Sequence, residues 1–425
     1  MVVFPRYANY KDSEIKWIGE IPSHWTMETG RTCLKPQKTK NTGNKVSTVL
    51  SLSYGKIIIK PEEKLHGLVP ESFDTYQIVK PGNIIIRSTD LQNDRTSLRI
   101  GLVQNDGIIT SAYLCLNPSE KMDSKYTYYL LHAYDLLKVY YGMGSGLRQN
   151  LDHTDFKYLT LPIPPIEEQD KIVEFLDRKT AEIDQAIDQK QRLIKLLKEQ
   201  KAILIDRAVT KGLNPNVSMR DSGIEWIGKI PEHWESRKAK FLFIQSQLPV
   251  RKTDDVVTAY RDGEVTLRTN RRIDGYTIAI LEQGYQGIRR GQLVINSMDA
   301  FAGAIGVSSS DGKCSPEYVV CDPVNSTIVE PDYYALLLRE MALKGYIEVI
   351  CPAVRQRGLR IRYNTFAQLL LPLPTKQEQI LIVQAINKII NETNLICFDC
   401  QKEINLLKEF KNTLISTSVN GMVRI

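Results

Sequence analysis

Clusters of basic and amide side chains are the part of this sequence whose chemistry suits the reading of a nucleic acid. Arginine pairs with the edge of guanine, asparagine and glutamine pair with adenine, and neighbouring basic or hydroxyl groups hold phosphates. In the first half of the chain the candidate DNA contacts are Arg87, Ser88, Thr89, Arg95, Arg99, Arg148, Gln149 and Asn150. In the second half they are Arg268, Asn270, Arg271, Arg272, Asn296, Met298, Arg355, Arg357 and Arg360. The competing interpretation of any single one is ordinary solvated surface charge.

The sequence motifs of a DNA-modifying or nucleotide-driven enzyme are missing. The pair Pro164-Pro165 lies between Ile163 and Ile166, so no polar residue is placed to accept the amine of a flipped base. None of the Gly-Lys pairs is followed by the Ser or Thr of a phosphate-binding loop. Cys397 and Cys400 have metal-ligand spacing but no second pair, which favours ordinary helix cysteines. We therefore expect no catalytic residue, cofactor or metal in this chain.

The sequence contains an internal repeat, in which the second half of the chain resembles the first. The stretch DSEIKWIGEIPSHW from Asp12 returns as DSGIEWIGKIPEHW from Asp221, about 210 positions later. LPIPPIEEQDKIV from Leu161 returns as LPLPTKQEQILIV from Leu371 at a similar spacing. His24 and His233 occupy the same place in the repeat, each before a tryptophan, which indicates a turn-and-packing motif and not a metal ligand.

Two long amphipathic helices are predicted, from about Glu167 to Arg207 and from Lys376 to Thr417. About 40 helical residues would span roughly 60 Å, too long for a narrow apolar stripe to fold back on itself. The predicted stripes are Ile172, Leu176, Ile183, Ile187, Ile194, Leu197 and Leu204, and Ile382, Ile386, Ile389, Ile396, Leu407, Phe410 and Leu414, with Thr393, Cys400 and Glu403 as weak points. We expect the helices to pair antiparallel within one chain; the alternative is a coiled coil between two chains.

Short β-branched runs outside the long helices (KIIIK at 56–60, NIIIR at 83–87 and QLVIN at 292–296) predict an α+β protein, and the length allows several domains. The chain has 425 residues, 42% of them hydrophobic, a net charge of +7 and a pI near 8.8. Acidic and basic residues are nearly balanced in number on the long helices, so the surplus of basic residues lies in the two strand-rich segments. This location weakly favours a polyanionic partner. The expected domains are 1–160, 161–211 (long helix), 212–370 and 371–425 (long helix). Scattered cysteines, the lack of a secretory signal and the lack of a membrane-length apolar run predict a cytoplasmic protein.

Taken together, these motifs resemble the specificity subunit of type I restriction-modification systems. The resemblance rests on the repeated entry at Tyr10 to Trp25 and Asp221 to Trp234, on the L-P-x-P-x-x-x-E-Q opening of each helix, and on the helices themselves. It implies two target recognition domains, separated by two antiparallel helices that form an intramolecular coiled coil with pseudo-twofold symmetry. The second helix opening departs from the first, because Thr375-Lys376-Gln377 replaces Pro165-Ile166-Glu167.

The resemblance also implies partners. These are double-stranded DNA with a bipartite, gapped target, two adenine-N6 methyltransferase subunits, and restriction/translocase subunits. S-adenosylmethionine, ATP and Mg²⁺ would then be bound by the partner subunits, and this chain would be no enzyme. Three other interpretations stay open: a coiled-coil scaffold whose variable domains bind proteins, a standalone DNA-modifying enzyme, and a solitary specificity chain that exchanges the recognised sequence.

Overall fold

The computed structural model describes residues 4–61, 63, 72–94, 96–143, 150–271, 284–351 and 360–425. The chain divides into two compact units, Met1–Gln191 together with Gln401–Ile425, and Arg192–Cys400. The predicted mixture of helix and strand is confirmed in both units. In the part of the chain that the structure describes, no helix has both the length and the apolar character to cross a membrane.

The first unit contains the strands of the first half of the chain. They are β1 Tyr10–Asp12, β2 Glu20–Pro22, β3 Thr26–Thr29, β4 Leu34–Gln37, β5 Thr39–Lys40, β6 Leu50–Ser53, β7 Lys56–Ile59, β8 Gln77–Val79, β9 Ile84–Ile86, β10 Ile100–Leu102, β11 Gly107–Ile109, β12 Leu114–Pro118 and β13 Thr160–Ile163. Its shorter helices are α1 Gly30–Cys33, α2 Ser124–Leu136 and α3 His153–Lys157, with a 3-10 turn at Val139–Gly142.

The second unit contains the strands of the second half. They are β14 Met219–Asp221, β15 Lys229–Pro231, β16 Glu235–Lys238, β17 Phe243–Gln245, β18 Val257–Ala259, β19 Val265–Leu267, β20 Gln286–Ile288, β21 Leu293–Asn296, β22 Ile305–Val307, β23 Gly312–Cys314, β24 Tyr318–Pro323 and β25 Leu370–Leu373. Its shorter helices are α5 Pro331–Leu343, α6 Tyr346–Ile350 and α7 Tyr363–Gln368, with 3-10 turns at Ala239–Phe241, Arg268–Asn270 and Ala300–Ala302.

Each unit is built around an antiparallel sheet with the same strand order. In the first unit the order is β10-β9-β12-β4, and in the second it is β22-β21-β24-β17. All three isoleucines of β9 are buried, which explains why this strand reads as a continuous apolar run rather than an alternating one. Ile85 packs with Leu50 and Val79 of the neighbouring small sheets. The core therefore lies on both faces of the central sheet.

The long helices are α4, Ile166–Lys211, and α8, Lys376–Val419, each within a few residues of the predicted bounds. Within the first unit, the Lys411 Nζ atom lies 2.7 Å from Asp184 Oδ1, and Lys190 pairs with Glu403. Within the second unit, the Lys201 Nζ atom donates to Asn394 Oδ1 at 3.2 Å. In the first unit residue numbers rise on one helix as they fall on the other, so its two helix segments run antiparallel.

The buried seam differs from the predicted stripe at several positions. On α4 the buried residue near the C-terminal end is Ile205, whereas Leu204 is 37% exposed. On α8 the predicted weak points Thr393 and Cys400 are buried, while Ile396 and Phe410 are nearly half exposed. Apolar spacing predicts which side of a helix is buried, but the neighbouring segments decide which residues on that side are covered, and the others stay in solvent.

The repeated entry motif attaches to the first turn of each long helix through one carboxylate. Glu168 accepts a hydrogen bond from the Trp25 indole at 2.9 Å and contacts the His24 Nε2 atom at 2.6 Å. In the second unit Glu378 accepts from Trp234 at 3.3 Å and contacts His233 at 2.8 Å. Both histidines therefore make a polar contact that joins the entry motif to the first turn of the long helix.

The glutamine that follows each of these glutamates is fully buried. The Gln169 side chain donates to the carbonyl oxygens of Lys121 and Pro164, both at 2.9 Å, and accepts from the backbone N–H of Asp123. Gln379 makes the same set of bonds with Ile328, Pro374 and Glu330. The Glu-Gln pair thus joins each long helix to the entry motif on one side and to the start of α2 or α5 on the other.

A tyrosine from α2 or α5 caps a carbonyl in the last turn of the other long helix segment. The Tyr126 hydroxyl donates to Val419 O at 3.1 Å, and the Tyr333 hydroxyl donates to Val209 O at 2.8 Å. The last carbonyls of a helix have no partner within the helix, so a buried helix end requires such donors. Both ends of each long helix are therefore held by polar contacts.

Replacing Glu168 by Gln should lower the unfolding free energy by about 1–2 kcal/mol, because donors to a charged acceptor lose their charge-assisted bonds. Burial alone would raise the pKa of Glu168, but hydrogen bonds from Trp25 and His24 hold that pKa below its ordinary value of 4.5. The carboxylate therefore stabilises the fold above about pH 4.5, and its contribution is lost as the pH falls through the lowered pKa.

Thermal and urea unfolding of Glu168→Gln at pH 7 and at pH 4 measures this contribution. The matched control is Glu167→Gln, since Glu167 is exposed on the same helix turn. Equal stability of the two variants at pH 7 would contradict the proposed role of the carboxylate.

Candidate nucleic-acid interface

The first candidate contact segment is the loop that follows β9, residues 87–94. The Arg87 Nη1 atom lies 3.0 Å from Asp94 Oδ2, and about a third of the Arg87 side chain is exposed. Asp94 also accepts from the backbone N–H of Ser97 at 2.9 Å. The hydrogen bonds from Ser97, together with Arg87, hold the pKa of Asp94 well below its usual range. Arg87 is thus pinned at the surface by a carboxylate that stays ionised.

Arg99 was predicted to contact DNA, and the structure contradicts this. Its side chain is fully buried. The guanidinium donates to the carbonyl oxygens of Arg87, Thr89, Asp90 and Asp94 at distances from 2.5 to 3.2 Å. Its Nε atom lies 3.3 Å from the Tyr141 hydroxyl. Arg99 therefore holds the loop from the interior of the unit, because its guanidinium donates to the carbonyl oxygens of the loop.

The end of the segment that precedes α3 joins the same loop. The Asn150 side chain accepts from the backbone N–H of Asp90 at 3.0 Å, and the Leu151 N–H donates to Ser88 O at 2.7 Å. Ser88 is buried, whereas Thr89 is half-buried and Asn150 is exposed. The structure thus brings Arg87, Thr89 and Asn150 to one surface. Arg95, Arg148 and Gln149 lie outside the described residues.

The corresponding loop of the second unit follows β21. Asn296 is buried; its side chain donates to the Tyr318 hydroxyl at 3.4 Å and accepts from the Met298 N–H at 3.2 Å. Met298 is 44% exposed. Asn296 therefore supports the loop, and as placed it is a poor candidate for a base contact, which is a second departure from the prediction. Burial raises the pKa of the Tyr318 hydroxyl to about 12.

The basic residues around the β18–β19 hairpin are held by their neighbours. Arg268 donates to the Thr258 hydroxyl at 3.3 Å, and Asn270 donates to the Thr266 hydroxyl at 2.8 Å. Arg271 lies 2.8 Å from Asp262 Oδ2 and 3.2 Å from Glu264 Oε2, and stacks 4.2 Å from the ring centre of Tyr260. The negative charges of these two carboxylates repel any anion that approaches Arg271. Arg271 is therefore a poor candidate for a phosphate contact.

The Arg360 Nε atom lies 3.4 Å from Oε2 of Glu317, the residue before Tyr318. The positive charge of Arg268 lowers the pKa of the Tyr318 hydroxyl, against the larger effect of burial. The structure therefore places Asn296 and Arg268 near one tyrosine that was not among the predicted contacts. The sequence marks this tyrosine by a repeat: residues 101–113 resemble residues 306–318, and the two stretches end in Tyr113 and Tyr318. Arg272, Arg355 and Arg357 lie outside the described residues.

Metal-ligating side chains do not cluster in the described ranges, where no group of three or more His, Cys, Asp or Glu could hold an ion. Cys397 and Cys400 lie within α8, as the sequence indicated, and Cys400 is buried on the helix seam. Burial raises the pKa of the Cys115 and Cys314 thiols to about 12, which disfavours the reactive thiolate form.

Comparison with known proteins points to one family. Residues 8–195 match the model of the type I restriction modification DNA specificity domain. A putative type I restriction enzyme MjaX specificity subunit from Methanocaldococcus jannaschii is 24% identical over 265 residues, 59% of this chain and 60% of that protein. The MjaVIII specificity subunit of the same organism is 30% identical over 135 residues, 32% of this chain and 30% of the relative. The matched regions thus span less than two thirds of either relative.

A solved structure shares the fold across almost the whole chain. The HsdS subunit from Thermoanaerobacter tengcongensis superposes with a TM-score of 0.56 at 15% sequence identity, covering 96% of this chain and 99% of that one. At this identity the likeness concerns the arrangement of the backbone.

Replacing Arg99 by Met should lower the unfolding free energy by about 3 kcal/mol, because several buried carbonyl oxygens lose their donors. Arg99→Lys should not restore it, since an ammonium on a flexible stem cannot reach carbonyls on both sides of the loop as a planar guanidinium does.

Urea unfolding of both variants tests this, with the exposed Arg31→Met of the same unit as the control. A variant Arg99→Met as stable as Arg31→Met would show that the buried guanidinium does not organise the loop.

Proposed function

Because the chain belongs to the family of type I restriction-modification specificity subunits, we propose that it selects the DNA sequence on which such a complex acts. Each unit recognises one half of a bipartite, gapped target in double-stranded DNA. Accessible side chains beside β9 and β21 contact the DNA; they are Arg87, Thr89 and Asn150 in the first unit and Met298 in the second. The chain itself carries out no chemistry on the DNA.

One observation carries this proposal: two units with the same strand order place different side chains on the same loop. After β9 the loop presents Arg87 and Thr89, and the matching positions at the end of β21 carry the buried Asn296 and the exposed Met298. A catalytic domain present twice would keep its reacting groups in both copies. Two readers of different half-sites need a common support with different surface residues, and that is the pattern here.

The partners follow from the family. Two adenine-N6 methyltransferase subunits bind S-adenosylmethionine and modify one adenine in each half-site, which requires flipping the base at a cost of a few kcal/mol. Restriction/translocase subunits use ATP and Mg²⁺. The proposed domains are recognition domains at 1–160 and 212–370, and helical spacers at 161–211 and 371–425 that dock these subunits. The complex acts in the cytoplasm, where the host DNA lies.

In this proposal the long helices form an intramolecular coiled coil with pseudo-twofold symmetry. Support comes from the antiparallel helix segments of the first unit and from the matched contacts of Glu168 and Glu378 at the two helix starts. A coiled coil of this length holds the two recognition domains at a set spacing. The gap in the DNA target then reflects the length of the helices.

Co-expression of the chain with its methyltransferase subunit should produce adenine methylation at a bipartite sequence with a fixed gap. The measurement is methylome sequencing of the host, with a host that expresses the methyltransferase alone as the control. The purified single chain, incubated with radiolabelled S-adenosylmethionine and DNA, should transfer no methyl group. Methyl transfer by the single chain, or a contiguous methylated sequence, would contradict the proposal.

Inserting seven residues into both long helices, after Gln191 and after Cys400, should lengthen the gap while both half-sites stay unchanged. Seven residues preserve the heptad and add about 10 Å of helix, which corresponds to roughly 3 base pairs of duplex at about 3.4 Å each. Methylome sequencing reads the gap directly. An unchanged gap in an active complex would rule out the spacer role.

A further inference from the structure

Each unit contains a pocket at the same place in its fold, between the turn that enters β12 or β24 and the start of α3 or α7. The pocket of the first unit has a volume of about 300 Å³ and is lined by Ser88, Tyr113 and His153. The pocket of the second unit has a volume of about 320 Å³ and is lined by Ser297, Tyr318 and Tyr363. None of the tyrosines or histidines among these was a predicted contact.

The walls of the two pockets are held by the same interactions. The buried Gln77 side chain donates to the carbonyl oxygens of Thr110 and Tyr113, at 3.0 and 2.7 Å. Gln286 donates to Ser315 O and Tyr318 O, at 3.2 and 2.7 Å. The backbone of the turn that carries each tyrosine is therefore held by the same pair of hydrogen bonds in both units.

The loop after the central strand is also joined to the start of the short helix in both units, through different atoms. In the first unit the Leu151 N–H donates to Ser88 O at 2.7 Å. In the second unit the Ser297 hydroxyl donates to Ile361 O at 2.8 Å. Each pocket is thus bounded by two segments of fixed geometry, and the candidate contact loop forms one of its walls.

The side chains that line the two pockets differ in charge and hydrogen-bonding character. At the turn, Ala112 in the first unit stands where Glu317 stands in the second. At the start of the short helix, Asp152 stands where Arg362 stands. At the helix start an acceptor, Asp152, is replaced by a donor, Arg362, and at the turn Glu317 adds an acceptor that Ala112 lacks. Acceptors and donors are the groups that distinguish one base pair from another in the major groove.

We propose that these paired pockets are the specificity-determining sites of the two units, and that each takes the edge of a base or an adjoining nucleotide of its own half-site. This inference rests on the proposed function and deepens it by naming where the discrimination lies. The tyrosine common to both pockets positions the DNA, and the variable residues at the turn and at the helix start select the sequence. Arg362 serves as a donor in the second unit, and its counterpart Asp152 serves as an acceptor in the first.

Arg362→Ala in the second unit and Ala112→Glu in the first unit test the two pockets separately. Both positions are exposed. The matched control is Arg237→Ala, which removes the same charge from an exposed residue of β16 that does not line the pocket. Each variant is assembled with the methyltransferase subunits, and its melting temperature is compared with that of the wild-type complex.

Fluorescence anisotropy then measures affinity for three duplexes: the intact target, and the target with either half-site replaced. Arg362→Ala should reduce the discrimination between intact and replaced DNA by about 10-fold to 100-fold for one half-site and leave the other half-site unchanged. Ala112→Glu should do the same for the opposite half-site. Arg237→Ala should change neither.

The outcomes separate the two proposals. A wild-type complex that discriminates no sequence would overturn the proposed function itself. A discriminating wild-type complex in which both pocket variants keep both half-sites, or lose both equally, would overturn the pocket inference alone. Glu317→Gln, which alters a second exposed residue of the second pocket, should act on the same half-site as Arg362→Ala; an effect on the other half-site would also overturn it.

Discussion

The attachment of the entry motif to the first turn of each long helix is the constraint on which the rest of the structure depends. Glu168 and Glu378 each bind an indole N–H and an imidazole from a segment about 140 residues earlier in the chain. The adjacent glutamines bind the backbone before α2 and α5. A shift of either helix along its axis would break both sets of bonds at once. The recognition surface of each unit is therefore positioned relative to its own helix with little freedom.

The larger features of the fold could be predicted because they correspond to periodic or repeated patterns in the sequence. Helix α4 begins and ends within a few residues of its prediction, and the runs KIIIK, NIIIR and QLVIN form β7, β9 and β21. The exact set of residues that is buried on the long helices could not be predicted. Leu204 and Ile205 are adjacent and both apolar, and only the position of the partner helix decides which one is buried.

The candidate site was predicted less well, since a residue type does not reveal where its side chain points. Arg99 and Arg87 are both arginines at strand ends, yet one is fully buried and the other is partly exposed. The difference lies in the loop, which folds back so that its carbonyl oxygens meet the Arg99 guanidinium. Tyr113 and Tyr318 were overlooked as site residues for the opposite reason: tyrosine is most often a packing residue, and their role appears only when the turn and the helix start come together in space.

The groups that hold the recognition loops bind the backbone. Gln77, Gln286 and Arg99 all donate to carbonyl oxygens. A carbonyl oxygen is present whatever side chain a residue carries, so substitutions on these loops leave the bonds from these three donors in place. Asn296 and Ser297 hold their loop through their own side chains, and these two positions are less free to vary. In the proposed function, substitutions at the other, exposed loop positions would change the DNA specificity one at a time, while the bonds from Gln77, Gln286 and Arg99 persist.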